Sequence, residues 1–513
     1  MNKILWTLFA LVLLTLVTWM TYRDAVQTAD DTPLYSPLVS RPCDALRYTD
    51  RKVLCGVYYP GGDSGQFAMP YVIFPYTGAD AEPSPLVHIS GGPGDGMQTG
   101  PERLRDWAYW LEDVQLKRDL VIYDQRGLKP GKPLWECPAY SDLTIELLAE
   151  NLTLAQEYQR SDAVVQGCIA AFDNWLKDSK VAAIGGIKSI TTASAASDLN
   201  GMLAALGYSE WNLWGISYGS RLALIAAQQS PETTRSLLLD SPYPLDRGRL
   251  SARPAMYSAA LTNFWEACRH NIDLCGADAA DPEALFWRVM NGLQQTPLAY
   301  RVKTPAGTSI SVVLNDHRFL SLAMFALHDH RLYPELLRSL MLLDGGEINP
   351  RNAEDSDPVQ FLLDALLRSA MDADFNTMMY FAIECNDNLL EAEQIYIQAA
   401  KAQPRLYPYL ALDARYNPCI SPLFNPKELI DTAPLVTTPA LIIAGGRDPV
   451  TPVEWSESLA ARLPHAALVV VPTVAHAVLP TGGCSPAIIE TFLKNPDNII
   501  DTDGDAIRGM CSQ

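Results

Sequence analysis

Positive charge is scarce and nowhere concentrated in this chain of 513 residues. Its 39 Lys and Arg stand against 59 Asp and Glu, for a formal charge of −20, and no basic cluster stands out. Recognition of a phosphate backbone depends on clustered basic side chains that release counterions, so nucleic acid is excluded as an expected partner. The chain also lacks a C-x-x-C pair, an internal repeat and a long low-complexity segment, which leaves metal binding and repeat architectures unsupported. Histidine is limited to seven residues, so few side chains can act as a base near neutral pH. What is abundant is apolar: 48% of residues are hydrophobic, enough for a large core and about two to four domain-sized units.

The first residues give an address. Lys3 precedes an apolar stretch over 4–20, whose length lies between a signal-peptide core and a short membrane span. Either reading means export. No small-x-small cleavage site follows, since Ala25 has Arg23 two positions before it and Ala29 has Gln27. An uncleaved anchor is therefore favoured, with the bulk of the chain outside the cytoplasm and membrane contact confined to this segment. Ten cysteines fit an oxidising compartment. Taken in order they would pair as Cys43 with Cys55, Cys137 with Cys168, Cys268 with Cys275, Cys385 with Cys419 and Cys484 with Cys511, the alternative being buried free thiols.

Short apolar runs closed by turn residues recur at 53–59, 71–74, 85–89, 119–123, 211–214, 235–240, 440–444 and 467–471. Such runs suit strands buried on both faces, and their alternation with helical periodicity, as at 193–206, predicts a doubly wound, mostly parallel α/β sheet. One interval breaks the alternation. From about Tyr243 to Leu435 helical stretches dominate, with few strand candidates. We read a helical cap inserted over 243–434, dividing the core into 33–242 and 435–513 after an N-terminal segment of 1–32. A cap placed there would lie over the strand ends and shape a substrate pocket.

Gly215-Ile216-Ser217-Tyr218-Gly219 joins the run at 211–214 to a helix-forming segment. This is the pattern of a nucleophile elbow, in which a strained strand-to-helix turn presents a serine and glycines allow close approach. The scaffold expects an acid and then a histidine further along the chain. Of the seven histidines only His465 and His476 lie beyond the cap; His476 follows the run at 467–471 at the edge where chemistry collects, and is the candidate base. Asp448, in the glycine-rich turn after the run at 440–444, is the candidate acid, its bland alternative being a helix cap. An oxyanion needs backbone donors. Tyr218 offers the N–H directly after the nucleophile, and Gly91-Gly92-Pro93-Gly94 forms a second turn whose amides can face inward.

Together with Asp124-Gln125-Arg126-Gly127, these motifs resemble the α/β-hydrolase serine aminopeptidases, the group of prolyl iminopeptidases and secreted tripeptidyl aminopeptidases. The resemblance runs from about Cys43 to Cys511, and implies the α/β-hydrolase fold with Gly91 and Tyr218 as oxyanion donors. Ser90 stands where prolyl iminopeptidases usually carry His directly before G-G-P-G. With the cysteine content, this makes the chain more similar to the secreted tripeptidyl branch. An aminopeptidase must hold an ammonium group, and the segment 381–387 looks like the family's cysteine-and-acid segment, which nominates Glu384, then Asp387.

His328-Asp329-His330 is no metal site, because i and i+2 on a helix point to different faces. The Asp-rich run at 501–505 lacks the glycine and bidentate Glu of a calcium loop. The expectation is thus an exported serine exopeptidase acting on peptide N-termini through an acyl-enzyme, without a cofactor. An esterase with the same triad is the alternative, and a non-catalytic peptide-binding protein is a third possibility.

Overall fold

The computed structural model describes residues 38–41, 43, 53–60, 67–132, 134–178, 186–270, 281–304, 307–345, 357–371, 374–388, 393–425, 436–499 and 509–511. The apolar stretch at 4–20, Cys275 and the run at 501–505 lie outside these residues. Nine strands form one sheet: β1 (Leu38–Arg41), β2 (Leu54–Tyr58), β3 (Met69–Phe74), β4 (Leu86–Ile89), β5 (Leu120–Tyr123), β6 (Trp211–Ile216), β7 (Thr234–Asp240), β10 (Ala440–Gly445) and β11 (Ala466–Val471). Their order is β1-β2-β3-β5-β4-β6-β7-β10-β11. The first three strands and the β3–β5 pair are antiparallel, and from β5 to β11 every pairing is parallel.

Period-two alternation explains why short apolar runs make this sheet. In β5, Val121 joins one core with the helices Leu154–Asp178, Thr192–Ala205 and Tyr218–Gln229, while Leu120 and Ile122 join a second core with Pro101–Val114 and Ala487–Lys494. Both faces are covered, so both sets must be apolar. From β4 the chain passes to β5 on one side and later to β6 on the other, which makes β4 a topological switch point. The loops leaving β4 and β6 therefore diverge and open a crevice at the carboxyl ends of the strands.

Between β7 and β10 lies a largely helical region with its own apolar core, built around Phe264, Phe286, Phe319, Leu336 and Leu362. Two features differ from the sequence reading. A hairpin of β8 (Leu298–Lys303) and β9 (Ser309–Leu314) interrupts the helices. In β8 only Val302 is buried, so the apolar signal of a strand is nearly absent. The helix Thr377–Asp387, within the same stretch of sequence, packs Met378, Met379, Ala382, Ile383 and Cys385 into the core beneath the sheet. Helices Pro138–Leu148 and Leu154–Asp178, which precede the elbow, pack against this helical region: the Arg318 guanidinium donates to Glu157 and to the carbonyls of Leu147 and Leu148.

Disulfides join Cys43 to Cys55, Cys137 to Cys168, Cys385 to Cys419 and Cys484 to Cys511, as sequential pairing predicts. Cys268 is also disulfide-bonded. Among the described residues no helix is long and apolar enough to cross a membrane, and no cluster of three His, Cys, Asp or Glu could hold a metal ion.

Candidate active site

Ser217 sits between the last residue of β6 and the first of helix Tyr218–Gln229, with φ 54° and ψ −121°. A non-glycine residue in this region costs on the order of 1–3 kcal/mol, which the strand and helix on either side must offset. The flanking glycines are required by space. A Cβ on Gly215 would lie 2.4 Å from the Gly219 carbonyl group, and one on Gly219 would lie 2.2 Å from the Ile89 carbonyl oxygen. The Ser217 N–H donates to the carbonyl of Asp240 at 2.9 Å, tying the elbow to β7.

β10 and β11 are parallel neighbours whose last residues, Gly445 and Val471, stand in register. The turns that follow therefore bring Asp448 and His476 side by side. Asp448 Oδ2 lies 2.7 Å from His476 Nδ1 and also accepts from the Thr451 hydroxyl at 2.8 Å; its Oδ1 accepts the N–H groups of Val450 and Thr451, each at 2.8 Å. Burial alone would raise this carboxyl, but the histidine and the two N–H groups hold it below the ordinary range. An ionised Asp448 can only accept, so Nδ1 carries the proton and Nε2 is left with its lone pair.

A second carboxylate fixes the histidine's loop. Asp240, fully buried at the end of β7, accepts the N–H of Val478 through Oδ1 and that of Leu479 through Oδ2, each at 2.9 Å. Its neighbour Ser241 accepts the Ala477 N–H at 3.0 Å, where the backbone turns through φ 60°. Burial pushes the Asp240 carboxyl up to about 6, although the two N–H donors act against the rise. The sequence reading passed over Asp240 because it stands as the last residue of an apolar strand.

Gly91 packs directly on the elbow: a Cβ there would lie 3.4 Å from the Cβ of Ser217. Tyr218 opens the helix, so its N–H is among those without an intrahelical acceptor. The motif at 124–127 braces the glycine loop. Gln125 Nε2 donates to the carbonyl and hydroxyl of Ser90, both at 3.3 Å, while Asp124 accepts from the N–H groups of Gln98 and Thr99 and from the Thr99 hydroxyl. Burial lifts the Asp124 carboxyl to about 7 despite those bonds. Arg126 pairs with Asp198 at 2.6 Å and holds the helix Thr192–Ala205. G-G-P-G and D-Q-R-G are thus two halves of one scaffold.

Ser217, His476, Gly91 and Gly92 line one cavity of about 720 Å3, together with an aromatic cluster of Trp107, Trp110 and Trp214 and a second of Phe375, Tyr380 and Phe381. Neither nominated amine-binding acid lines it. Glu384 follows Phe381 along the same helical stripe one turn deeper, is 2% exposed, and accepts from the Tyr243 hydroxyl at 3.1 Å and from Asn388 Nδ2 at 2.8 Å. Asp387 accepts the Thr192 N–H at 2.9 Å, at the start of the helix Thr192–Ala205. Both serve the core beneath the elbow. A cap residue that sequence reasoning had set aside does reach the site: His328 lines the cavity, its carbonyl accepts the His476 N–H at 3.2 Å, and the two rings lie 6.5 Å apart.

Residues 84–264 match the alpha/beta hydrolase fold family, the segment that carries β4, the braced glycine loop and the elbow. The chain has the α/β-hydrolase fold. Residues 411–502 of this hydrolase match the TAP-like protein family, which takes in Asp448 and His476. It is similar to the serine protease Hip1 of Mycobacterium bovis and of Mycobacterium tuberculosis, 24% identical over 445 residues that cover 80% of this chain and 79% of that protein. Among solved structures it is similar to proline iminopeptidase from Mycobacterium smegmatis, 16% identical, covering 86% of this chain and 98% of the other with a TM-score of 0.40. An esterase from Thermogutta terrifontis is 13% identical, with 88% and 100% covered and a TM-score of 0.33.

Proposed function

We propose that this hydrolase is an exported serine peptidase that removes one or a few residues from peptide N-termini. The observation that carries the reading is the 2.7 Å contact between Asp448 and His476 at the edge of the cavity that Ser217 and Gly91 also line. Ser217 Oγ attacks the scissile carbonyl carbon as His476 Nε2 takes its proton, and Asp448 holds the ring and stabilises the imidazolium. The N–H groups of Gly91 and Tyr218 receive the developing oxyanion, each such donor contributing a factor of about 10²–10³. The C–N bond then breaks, the departing amine takes the proton from His476, and water attacks the remaining ester by the reverse sequence. The chemistry calls for no cofactor.

Similarity to a serine protease and to the TAP-like family supports a peptide rather than another acyl compound as substrate. The four disulfides support an oxidising compartment. A carboxylic ester is the second reading, favoured by the aromatic walls of the cavity. Free-amine peptide amides, their N-acetylated forms and short acyl esters, assayed side by side, separate the two. We expect the free-amine peptides to be turned over fastest; turnover of the esters or acetylated peptides alone would overturn the aminopeptidase reading.

A further inference from the structure

We propose that Asp95 is the carboxylate that receives the substrate's α-ammonium group, and that the released fragment is short as a result. The proposal rests on the aminopeptidase reading above. An ammonium group leaves water for an aromatic-walled cavity only where a carboxylate meets it. Among the described residues that line the cavity there are two, Asp95 and Asp106. Asp106 is 61% exposed with Arg105 beside it at 3.5 Å, and Arg103 on the same helix is exposed as well, so water and salt screen their charges. Asp95 is half-buried. Glu384 and Asp387 are engaged below the cavity floor.

The position of Asp95 is fixed from three directions. Gln98 Nε2 donates to its Oδ2 at 3.1 Å, and the Ser90 hydroxyl donates to its carbonyl at 3.1 Å. Its backbone pairs with Phe375, while the Asn376 N–H donates to the Gly94 carbonyl at 2.9 Å, so the loop is joined to the start of the helix that carries Tyr380 and Phe381. Gly91 and Asp95 are four residues apart and thus separated by at most about 14 Å. An extended substrate advances about 3.3 Å per residue, so even with about 5 Å added for the Asp95 side chain and its hydrogen bond, no more than about six residues fit between an amine at Asp95 and a carbonyl at Ser217.

The test uses the full chain and a matched pair of short peptide amides, one with a free amine and one N-acetylated. The ratio of their kcat/KM values, taken within each variant, is independent of the fraction that folds. In Asp95→Asn the preference for the free amine is expected to fall by about 100-fold, as for truncation of one partner of a buried ion pair. Glu384→Gln is expected to keep the wild-type ratio. An unchanged ratio in Asp95→Asn, its collapse in Glu384→Gln, or release of fragments well beyond about six residues from a peptide library would overturn the proposal. A wild type without any preference for the free amine would instead bring down the aminopeptidase reading on which it stands.

Discussion

At the sheet edge, Ser217, Asp448, His476 and Gly91 each stand within a few residues of a strand's end, and the Ser217 N–H donates to the carbonyl of Asp240 on the neighbouring strand. On the helix Thr377–Asp387 the groups that reach the cavity are mostly aromatic side chains on a helical face, as with Tyr380 and Phe381. Parallel strands in register place several loops at one level to a fraction of a residue, which suits reacting atoms. A helix face supplies apolar area with coarser tolerances, which suits substrate fit. The two regions should therefore answer mutation differently: changes at the edge should strike kcat, and changes on this aromatic wall should strike KM.

The sharpest contrast is expected from Ser217→Ala, which should lower kcat by about 10⁶-fold and abolish labelling by a fluorophosphonate. Residual labelling would move the nucleophile elsewhere. Asp448→Asn should cost about 10⁴-fold in kcat with KM little altered, because the imidazole loses the acceptor that fixes its tautomer. Asp240→Asn, which leaves one of the two loop N–H groups facing an NH2, should displace His476 and lower kcat by about 100-fold. A pure KM effect there would break the comparison. On the aromatic wall, Phe381→Ala should raise KM by about tenfold, the loss of a partly buried aromatic face; a kcat loss on the scale of Asp448→Asn would erase the distinction.

The smallest effect concerns pH. Asp448 titrates below its ordinary value of about 4 in the folded protein, so its contribution to stability is present above that value and is lost as pH falls through the folded one. The thermal midpoint of wild type over Asp448→Asn should accordingly narrow as pH falls from about 5 towards 3. A gap that widened in that window would mean that the carboxyl is raised instead.

What the residues disclosed follows the same division. The strands from β2 onward in the sheet were legible because burial on both faces forces continuous apolar runs, and the places of Ser217, Asp448 and His476 at the strand ends because turn residues mark the ends of those runs, whereas the partly exposed edge strand β1 was missed. Asp240 was not, since a buried carboxylate on a strand's last position has no flanking signal; only the tertiary path of residues 477–479 gives it donors. Glu384 shows the opposite failure. Its spacing from Tyr380 and Phe381 places it on the stripe that faces the cavity, but one turn further along Tyr243 and Asn388 close over it. β8 escaped because an exposed hairpin arm needs no apolar pattern.

The hydrogen bond from the His476 N–H to the His328 carbonyl makes the helical region between β7 and β10 a support of the histidine that we propose as the base. A shortened chain without the cap would not be an enzyme with its door removed and its substrate range widened. Under the proposed mechanism it would be one whose proton carrier had lost a strut, so engineering for larger substrates would remodel the wall at Tyr380 and Phe381 and leave the turn at His328 in place.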